Sequence, residues 1–309
     1  MSDAVNIWEQ PQAQEIYMLA GWRQWADAGS VSSGLPRYLA LQTGARPIGA
    51  LRNDGFYLFQ IPGTHDLLRP VVKFNQGLPE SLDTPRNELL YAQMERAGLV
   101  FFMGDEPHMD VERYAAAFLD AARTLGVRRI IGLGGVYGEV PYNKERTVHS
   151  IYSLPSLKKE LQQMAVGFSD YHGGASIGSV ICKRAGEQNI EYVSFYAFAP
   201  LYDLSSLSQS NNTIRIENDF MAWLGVTRRI NHMLNLGLDL SDLERRSSQL
   251  LQAIEMRVAE MERDNPHLGV REYLQNLADA YEEMPFEPLD DFWEEKLRGL
   301  FDKIDDESA

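Results

Sequence analysis

The chain has 309 residues, 44% of them apolar, with 44 Asp or Glu against 29 Lys or Arg and a formal net charge of −15. That length and apolar share allow a large buried core, and so acidic a molecule repels phosphate backbones, which argues against nucleic acid as a partner. The lone cysteine, Cys182, excludes an intrachain disulfide and a thiolate metal cluster, and its apolar setting, Val180-Ile181-Cys182, reads as an inert helix position.

Residues 1–14 are polar and acidic without a leader pattern, and no run approaches the roughly 18 apolar residues of a membrane helix. No membrane association is expected, and the location reads as cytoplasmic. Through the first 235 residues β-rich runs alternate with helical patterns, as in a sheet covered by helices on both faces. Strands are predicted at 15–20, 47–52, 56–60, 70–74, 98–103, 128–133 and 190–198, and helices at 29–42, 107–125, 154–164, 175–187 and 213–236. Asn53-Asp54-Gly55 suits a hairpin between 47–52 and 56–60, so the sheet is expected to be mixed, mainly parallel, in a three-layer α/β/α sandwich. Between 98–103 and 128–133, Tyr114, Phe118, Ala121, Ala122 and Leu125 share a helical face that Gly126 closes, which reads as a βαβ crossover.

Residues 239–309 hold 20 Asp or Glu against 8 Lys or Arg, a balance of −12 that leaves −3 for residues 1–238. The expected division is an α/β core over 1–238 and an acidic helical extension over 239–309. Ser241-Asp242-Leu243-Glu244 reads as a capping box in which Ser241 caps the first turn and Glu244 reaches back. Leu243, Leu250, Leu251, Ile254, Val258 and Met261 form a stripe, Asn265-Pro266 turns the chain, and Leu274, Leu277 and Tyr281 continue on a second helix. A third helix is predicted near 289–304, with Phe292, Trp293 and Leu297 on its apolar face. Stripes this apolar need a partner surface, which points to a homo-oligomer. The pairs Arg128-Arg129, Arg228-Arg229 and Arg245-Arg246 read as solvated strand and helix ends.

Candidate site residues cluster at three glycine-bearing segments. Gly21 follows the first predicted strand, Gly134 and Gly135 lie in a glycine-rich run over 132–138, and His172, Gly173 and Gly174 precede a helix. The run over 132–138 lacks the following helix that a dinucleotide cradle needs, so it reads as a crevice-lining turn, and no cofactor is expected. Gly174-Ala175-Ser176-Ile177-Gly178 satisfies the nucleophile-elbow spacing, with Asp203 and His232 in hydrolase order. Its preceding residues 167–172 make a poor strand and His232 falls in a helical pattern, so a helix N-terminus is the better reading of Ser176. Asp105-Glu106-Pro107-His108-Met109-Asp110 gathers carboxylates and an imidazole, but such acids also suit a helix dipole, and no metal is expected. Asp27, Glu106 and Glu139 are weak acid or base candidates for a crevice, with turn and cap roles as the alternative. His65, His149 and His267 are dispersed and make no metal spacing.

Several segments in order resemble the proteasome assembly chaperone 2 family, in its bacterial branch with a C-terminal helical extension. They include Gly21-Trp22-Arg23-Gln24-Trp25-Ala26-Asp27-Ala28-Gly29, Arg69-Pro70-Val71-Val72-Lys73-Phe74 with Asn87-Glu88-Leu89 downstream, and Gly104-Asp105-Glu106-Pro107. Leu125-Gly126-Val127-Arg128-Arg129-Ile130 leading to Gly134-Gly135, Tyr171-His172-Gly173-Gly174-Ala175-Ser176-Ile177-Gly178, and Asp264-Asn265-Pro266 before Tyr273 complete the set. The resemblance implies a phosphorylase-like α/β/α core, assembly into oligomers, with a trimer favoured, and a chaperone-like role. Family chaperones that dock on the proteasome ring use a C-terminal hydrophobic-Tyr-any tail, whereas this sequence ends Asp305-Asp306-Glu307-Ser308-Ala309, so such docking is not expected. A non-catalytic oligomeric scaffold is the leading functional expectation. The alternative is a phosphorylase-like or hydrolase-like enzyme acting on a small molecule at the glycine crevice.

Overall fold

The computed structural model describes residues 3–60, 69–203 and 213–286. In chain order the elements are β1 (Val5–Ile7), β2 (Ile16–Arg23), α1 (Gly34–Gln42), β3 (Arg46–Leu51), β4 (Val71–Asn75), β5 (Leu78–Asp83), β6 (Asn87–Gln93) and β7 (Gly98–Asp105). They continue with α2 (Val111–Thr124), β8 (Arg129–Gly138), β9 (Val148–Tyr152), α3 (Lys158–Leu161), β10 (Gly167–Phe168), α4 (Ile177–Glu187), β11 (Glu191–Asp203), β12 (Thr213–Arg215), α5 (Phe220–Leu234), α6 (Ser241–Asp264) and α7 (Val270–Asp279). The predicted helix near 289–304, His65 and the chain end lie outside the described residues.

One sheet runs β1-β3-β6-β7-β2-β8-β11-β9-β10, with β12 paired to β11. Its centre, β7-β2-β8-β11, is parallel, while β1, β3 and β6 on one side and β9 on the other pair antiparallel. Strand alternation divides the core in two. Met18, Ala20, Val100, Phe102 and Ile130 meet Tyr114, Phe118 and Ala122 of α2 and Ile181 and Cys182 of α4. Leu19, Phe101, Ile131, Val193 and Phe195 face the other way, onto Leu35 and Leu39 of α1 and Trp223, Val226 and Ile230 of α5. Both faces of the parallel centre are therefore covered, the condition under which parallel sheets occur.

Several expectations need correction. Asn53-Asp54-Gly55 does turn the chain, with Phe56 N–H donating to Asn53 O, but no strand forms at 56–60. The Phe56 ring instead packs edge-on against Tyr114 and its carbonyl accepts His108 N–H and Met109 N–H. Asp110 is left-handed, with φ 52°, so helical backbone cannot run through it and α2 begins at Val111 rather than 107. The predicted strand at 70–74 belongs to a separate ribbon, β4-β5, off the main sheet. The predicted helix at 213–236 opens as strand β12, and α5 begins after Asp219, whose carboxylate accepts Met221 N–H and Ala222 N–H. The glycine-rich run over 132–138 is no turn but the body of β8.

At the start of α6 the capping box is not formed. Asp239 Oδ1 accepts Ser241 N–H, and Glu244 pairs with Arg228. The apolar stripes of α6 and α7 find their partner within the chain, where Ile254, Val258, Met261 and Leu274 pack with Tyr142, Tyr202 and Ile216. Arg229 also departs from expectation. It is fully buried, donating to the carbonyls of Met164, Ala165 and Gly225 and lying over the Phe286 ring. A guanidinium can be buried when its donor fork is satisfied by carbonyls, which a sequence pattern does not display.

Candidate functional site

Beyond the last residue of β2 the chain crosses over the sheet, and two glycines make that crossing possible. A Cβ at Gly21 would stand 1.7 Å from Ser32 O, and one at Gly135 would stand 1.9 Å from Ala28 O. Both positions need close backbone approach. Gly135 N–H donates to Ala26 O at 2.7 Å, Asp27 bridges to Gly135, and the loop is thus stitched to β8. Asp27 Oδ1 accepts Ser32 N–H and Ser33 N–H, and Oδ2 accepts Ser33 Oγ–H at 2.7 Å. Burial pushes its carboxyl upward from the usual range, and these three bonds hold it back. Asp27 is a turn organiser with both oxygens occupied.

The stitched loop forms one wall of a crevice of about 720 Å3. The floor carries Gly135 and Tyr137 of β8, Tyr196 and Phe198 of β11, and His149 of β9, and the far wall carries Tyr171, Gly173, Gly174 and Ser176. Trp25 stands 56% exposed and Tyr171 72% exposed at this crevice. Of the residues expected here, Asp27, Gly135, Gly173, Gly174 and Ser176 line it. Gly134 lies on the same strand, where a Cβ would meet the Tyr196 ring at 2.3 Å. Gly21 lines a second crevice on the β7 side of β2. His172 is exposed and forms no part of the lining.

Ser176 is the N-cap of α4, its Oγ accepting Ser179 N–H and lying within reach of the Ser179 and Tyr196 hydroxyls. Neighbouring Ile177 N–H donates to Glu106 Oε1 at 2.7 Å. Glu106 Oε2 is buried without a hydrogen-bond partner, and burial pushes this carboxyl up to about 7 against that one bond from Ile177. Glu106 sits under the crevice, at a small void shared with Trp25, Ser176, Ser194 and Tyr196.

The other constellations expected from the sequence do not assemble. His232 is on α5 and edge-on to Phe286, whereas Ser176 caps α4, across the sheet, so His232 does not serve this serine. Glu139 is exposed and meets the Tyr273 hydroxyl at 3.4 Å, away from the crevice. The acidic run over 105–110 disperses. Asp105 binds Arg23, Glu106 binds the start of α4, His108 Nδ1 accepts Leu58 N–H, and Asp110 pairs with Arg113. Among the described residues no group of three His, Cys, Asp or Glu side chains is placed to hold a metal ion. Cys182 is buried, and burial pushes its thiol up to about 12, the inert position its setting suggests. No helix among the described residues is long and apolar enough to cross a membrane.

Sequence reasoning missed the aromatic residues of the crevice. Trp25, Tyr171, Tyr196 and Phe198 come from three separate segments, and His149 looked isolated until β9 joined β11. The signal in the sequence was weak: a tryptophan in a polar turn after a buried strand.

The PAC2 family model matches residues 22–258. Among solved structures, the chain is similar to a proteasome-assembly chaperone homologue from Mycobacterium tuberculosis, with 21% identity, a TM-score of 0.69, and coverage of 84% of this chain and 100% of that one. It is also similar to a PAC2 family protein from Streptomyces avermitilis, with 21% identity, a TM-score of 0.68, and coverage of 84% and 99%. An archaeal proteasome activator from Pyrococcus furiosus matches at 16% identity and a TM-score of 0.60, with coverage of 82% and 97%. Identities in this range show a shared fold. No curated protein matches the sequence.

Proposed function

The chain belongs to the PAC2 family, and we propose that it is a non-catalytic, cytoplasmic homo-oligomer, a trimer, with a scaffold or assembly-chaperone-like role. The observation that carries this reading is the β4-β5 ribbon. Its register puts four apolar residues on one face, Val72 opposite Leu82 and Phe74 opposite Pro79, while Lys73, Asn75, Ser81 and Asp83 share the other with the exposed Val71 and Leu78. Every one of the four is exposed, Phe74 at 58% and Leu82 at 63%. An isolated two-stranded ribbon is marginal in water, and an uncovered apolar face of this kind marks an interaction surface. A second copy of the chain is the occupant we assign. Two of the similar structures, a chaperone homologue and a proteasome activator, support an assembly role.

An enzyme at the crevice is the second reading, and Glu106, poised near neutrality, is the observation in its favour. It is weakened because Ser176 is occupied as a helix cap and Asp27 as a turn organiser. Light scattering tests the first reading. The wild type is expected at trimer mass, and the double variant Phe74→Asp with Leu82→Lys is expected to become monomeric while still unfolding cooperatively, because both side chains face solvent within the single chain and only the contact with a second copy is lost. A monomeric wild type at micromolar concentration sinks the oligomer.

A further inference from the structure

We propose that the crevice between the β2 loop and the start of α4 is a binding site for a small planar aromatic acid. Its volume of about 720 Å3 falls in the range of sites for drug-sized ligands. It opens beyond the carboxyl ends of the parallel strands β2 and β8 and alongside β11, where ligands of open α/β sheets bind. Its walls are aromatic, with Trp25, Tyr137, Tyr171, Tyr196 and Phe198 offering ring faces and edges to a flat apolar ligand.

The presentation of Trp25 is built into the backbone. Gln24 and Ala26, on either side of it, hold φ values of 90° and 53°, a region that residues other than glycine rarely occupy. Ala26 is locked there by its carbonyl bond from Gly135 N–H. The indole is held out over the crevice rather than folded into the core, and strain of this kind clusters at ligand clamps.

Charge selects an acid. Arg215 lines the crevice, its guanidinium over the Tyr137 ring at 5.0 Å and its Nε–H donating to Tyr137 Oη at 2.6 Å. No carboxylate pairs with it among the described residues. Asp27, the lining carboxylate, has both oxygens occupied by Ser32 and Ser33, and His149 packs against Phe198. A ring held among the aromatic walls would bring its carboxylate to a guanidinium that no carboxylate among the described residues satisfies, and the guanidinium fork suits a carboxylate. The inference concerns a different surface from the β4-β5 ribbon and does not depend on oligomer formation.

Calorimetric titration of the full chain with 1-naphthylacetate and with its neutral isostere 1-naphthylacetamide is the test. The acid is expected to bind the wild type about tenfold more tightly than the amide. Arg215→Met is expected to lower acid affinity to the amide level and leave the amide unchanged, while Trp25→Ala weakens both. Equal affinities in the wild type, no saturable binding up to millimolar probe, or unchanged acid affinity in Arg215→Met each overturn the proposal. Acid binding that emerges only in the Phe74→Asp, Leu82→Lys variant would show that a neighbouring copy fills the crevice, and would overturn it as well.

Discussion

The crevices on either side of β2 are of similar size, about 580 Å3 toward β7 and about 720 Å3 toward β8, and they deal with charge in opposite ways. The first is lined by Arg23, Arg37, Arg86 and Arg246, yet three of these four already have carboxylates. Asp105, buried at the end of β7, takes Arg23 Nε–H at 2.5 Å and Nη2–H at 2.9 Å and also accepts Arg86 N–H. Asp83 pairs with Arg86, and Asp242 with Arg246. The second crevice is aromatic, and Arg215 in its lining pairs with no carboxylate among the described residues. A lining in which every arginine but Arg37 is neutralised from within ties together the ends of strands, whereas exposed rings beside an unanswered guanidinium leave recognition to something outside. Richness in charge alone would have pointed to the wrong crevice.

The contrast extends to where each crevice comes from. Arg246 and Asp242 belong to α6, so the acidic helices help to build the charged crevice, while every residue lining the aromatic one precedes Ile216. We propose that residues 1–238 fold as a unit to which 239–309 is appended. Truncation after Leu238 is expected to have the largest effect, several kcal/mol, because it strips Leu243 from the main core and uncovers Tyr142, Tyr202 and Ile216. Thermal unfolding of the shortened chain should stay cooperative at a lower midpoint, and 1-naphthylacetate binding should survive. An aggregated or unfolded product would show one indivisible domain.

Much of the sandwich was legible because its centre follows simple periodicities. Within the runs at 15–20, 98–103 and 128–133 the stretches 16–20, 99–103 and 130–133 carry no charged residue, as strands buried on both faces require, and the 3.6-residue stripe of α2 could be read from Tyr114 to Leu125. The failures were local: β6 and β9 are short and interrupted by polar residues, and Asn53-Asp54-Gly55 specifies a turn without specifying a strand on its far side. At the site, Asp27, Ser176 and Gly173 were found because turn and cap chemistry has a short-range signature. The aromatic walls were not, because nothing in the spacing of Trp25, His149 and Tyr196 tells which strands become neighbours. The glycines of β8 misled for a related reason. Their role is to admit the Tyr196 ring and the Ala28 carbonyl, contacts from distant segments.

Glu106 sharpens the comparison from below, since it is a carboxyl near the aromatic crevice that lacks the cationic partner Asp105 enjoys. Its folded value of about 7 lies above an ordinary 4.5, so protonation favours the folded state. That stabilisation is fully present below about pH 4.5 and is lost as pH rises through about 7. Glu106→Gln keeps the Oε1 acceptor for Ile177 N–H and is neutral at every pH. The variant should therefore match the wild type near pH 4.5 and exceed it by on the order of 2 to 3 kcal/mol above pH 7.5, measured by urea unfolding across the pH range. Parallel curves for the two proteins would show that Glu106 is solvated and ordinary.

The smallest expected effect distinguishes a helix cap from a nucleophile. Ser176 Oγ accepts Ser179 N–H at the first turn of α4, and removal of such a cap costs about 1 kcal/mol. Ser176→Ala should lower stability by that amount and should leave 1-naphthylacetate binding within about twofold, since the rings and Arg215 make the recognising contacts. The wild type should also resist a fluorophosphonate probe, because an activated serine needs a base within hydrogen-bond reach and the neighbours of this hydroxyl are those of Ser179 and Tyr196. Stoichiometric labelling of the wild type that disappears in Ser176→Ala would make the crevice an active site and place the enzyme reading ahead of the scaffold.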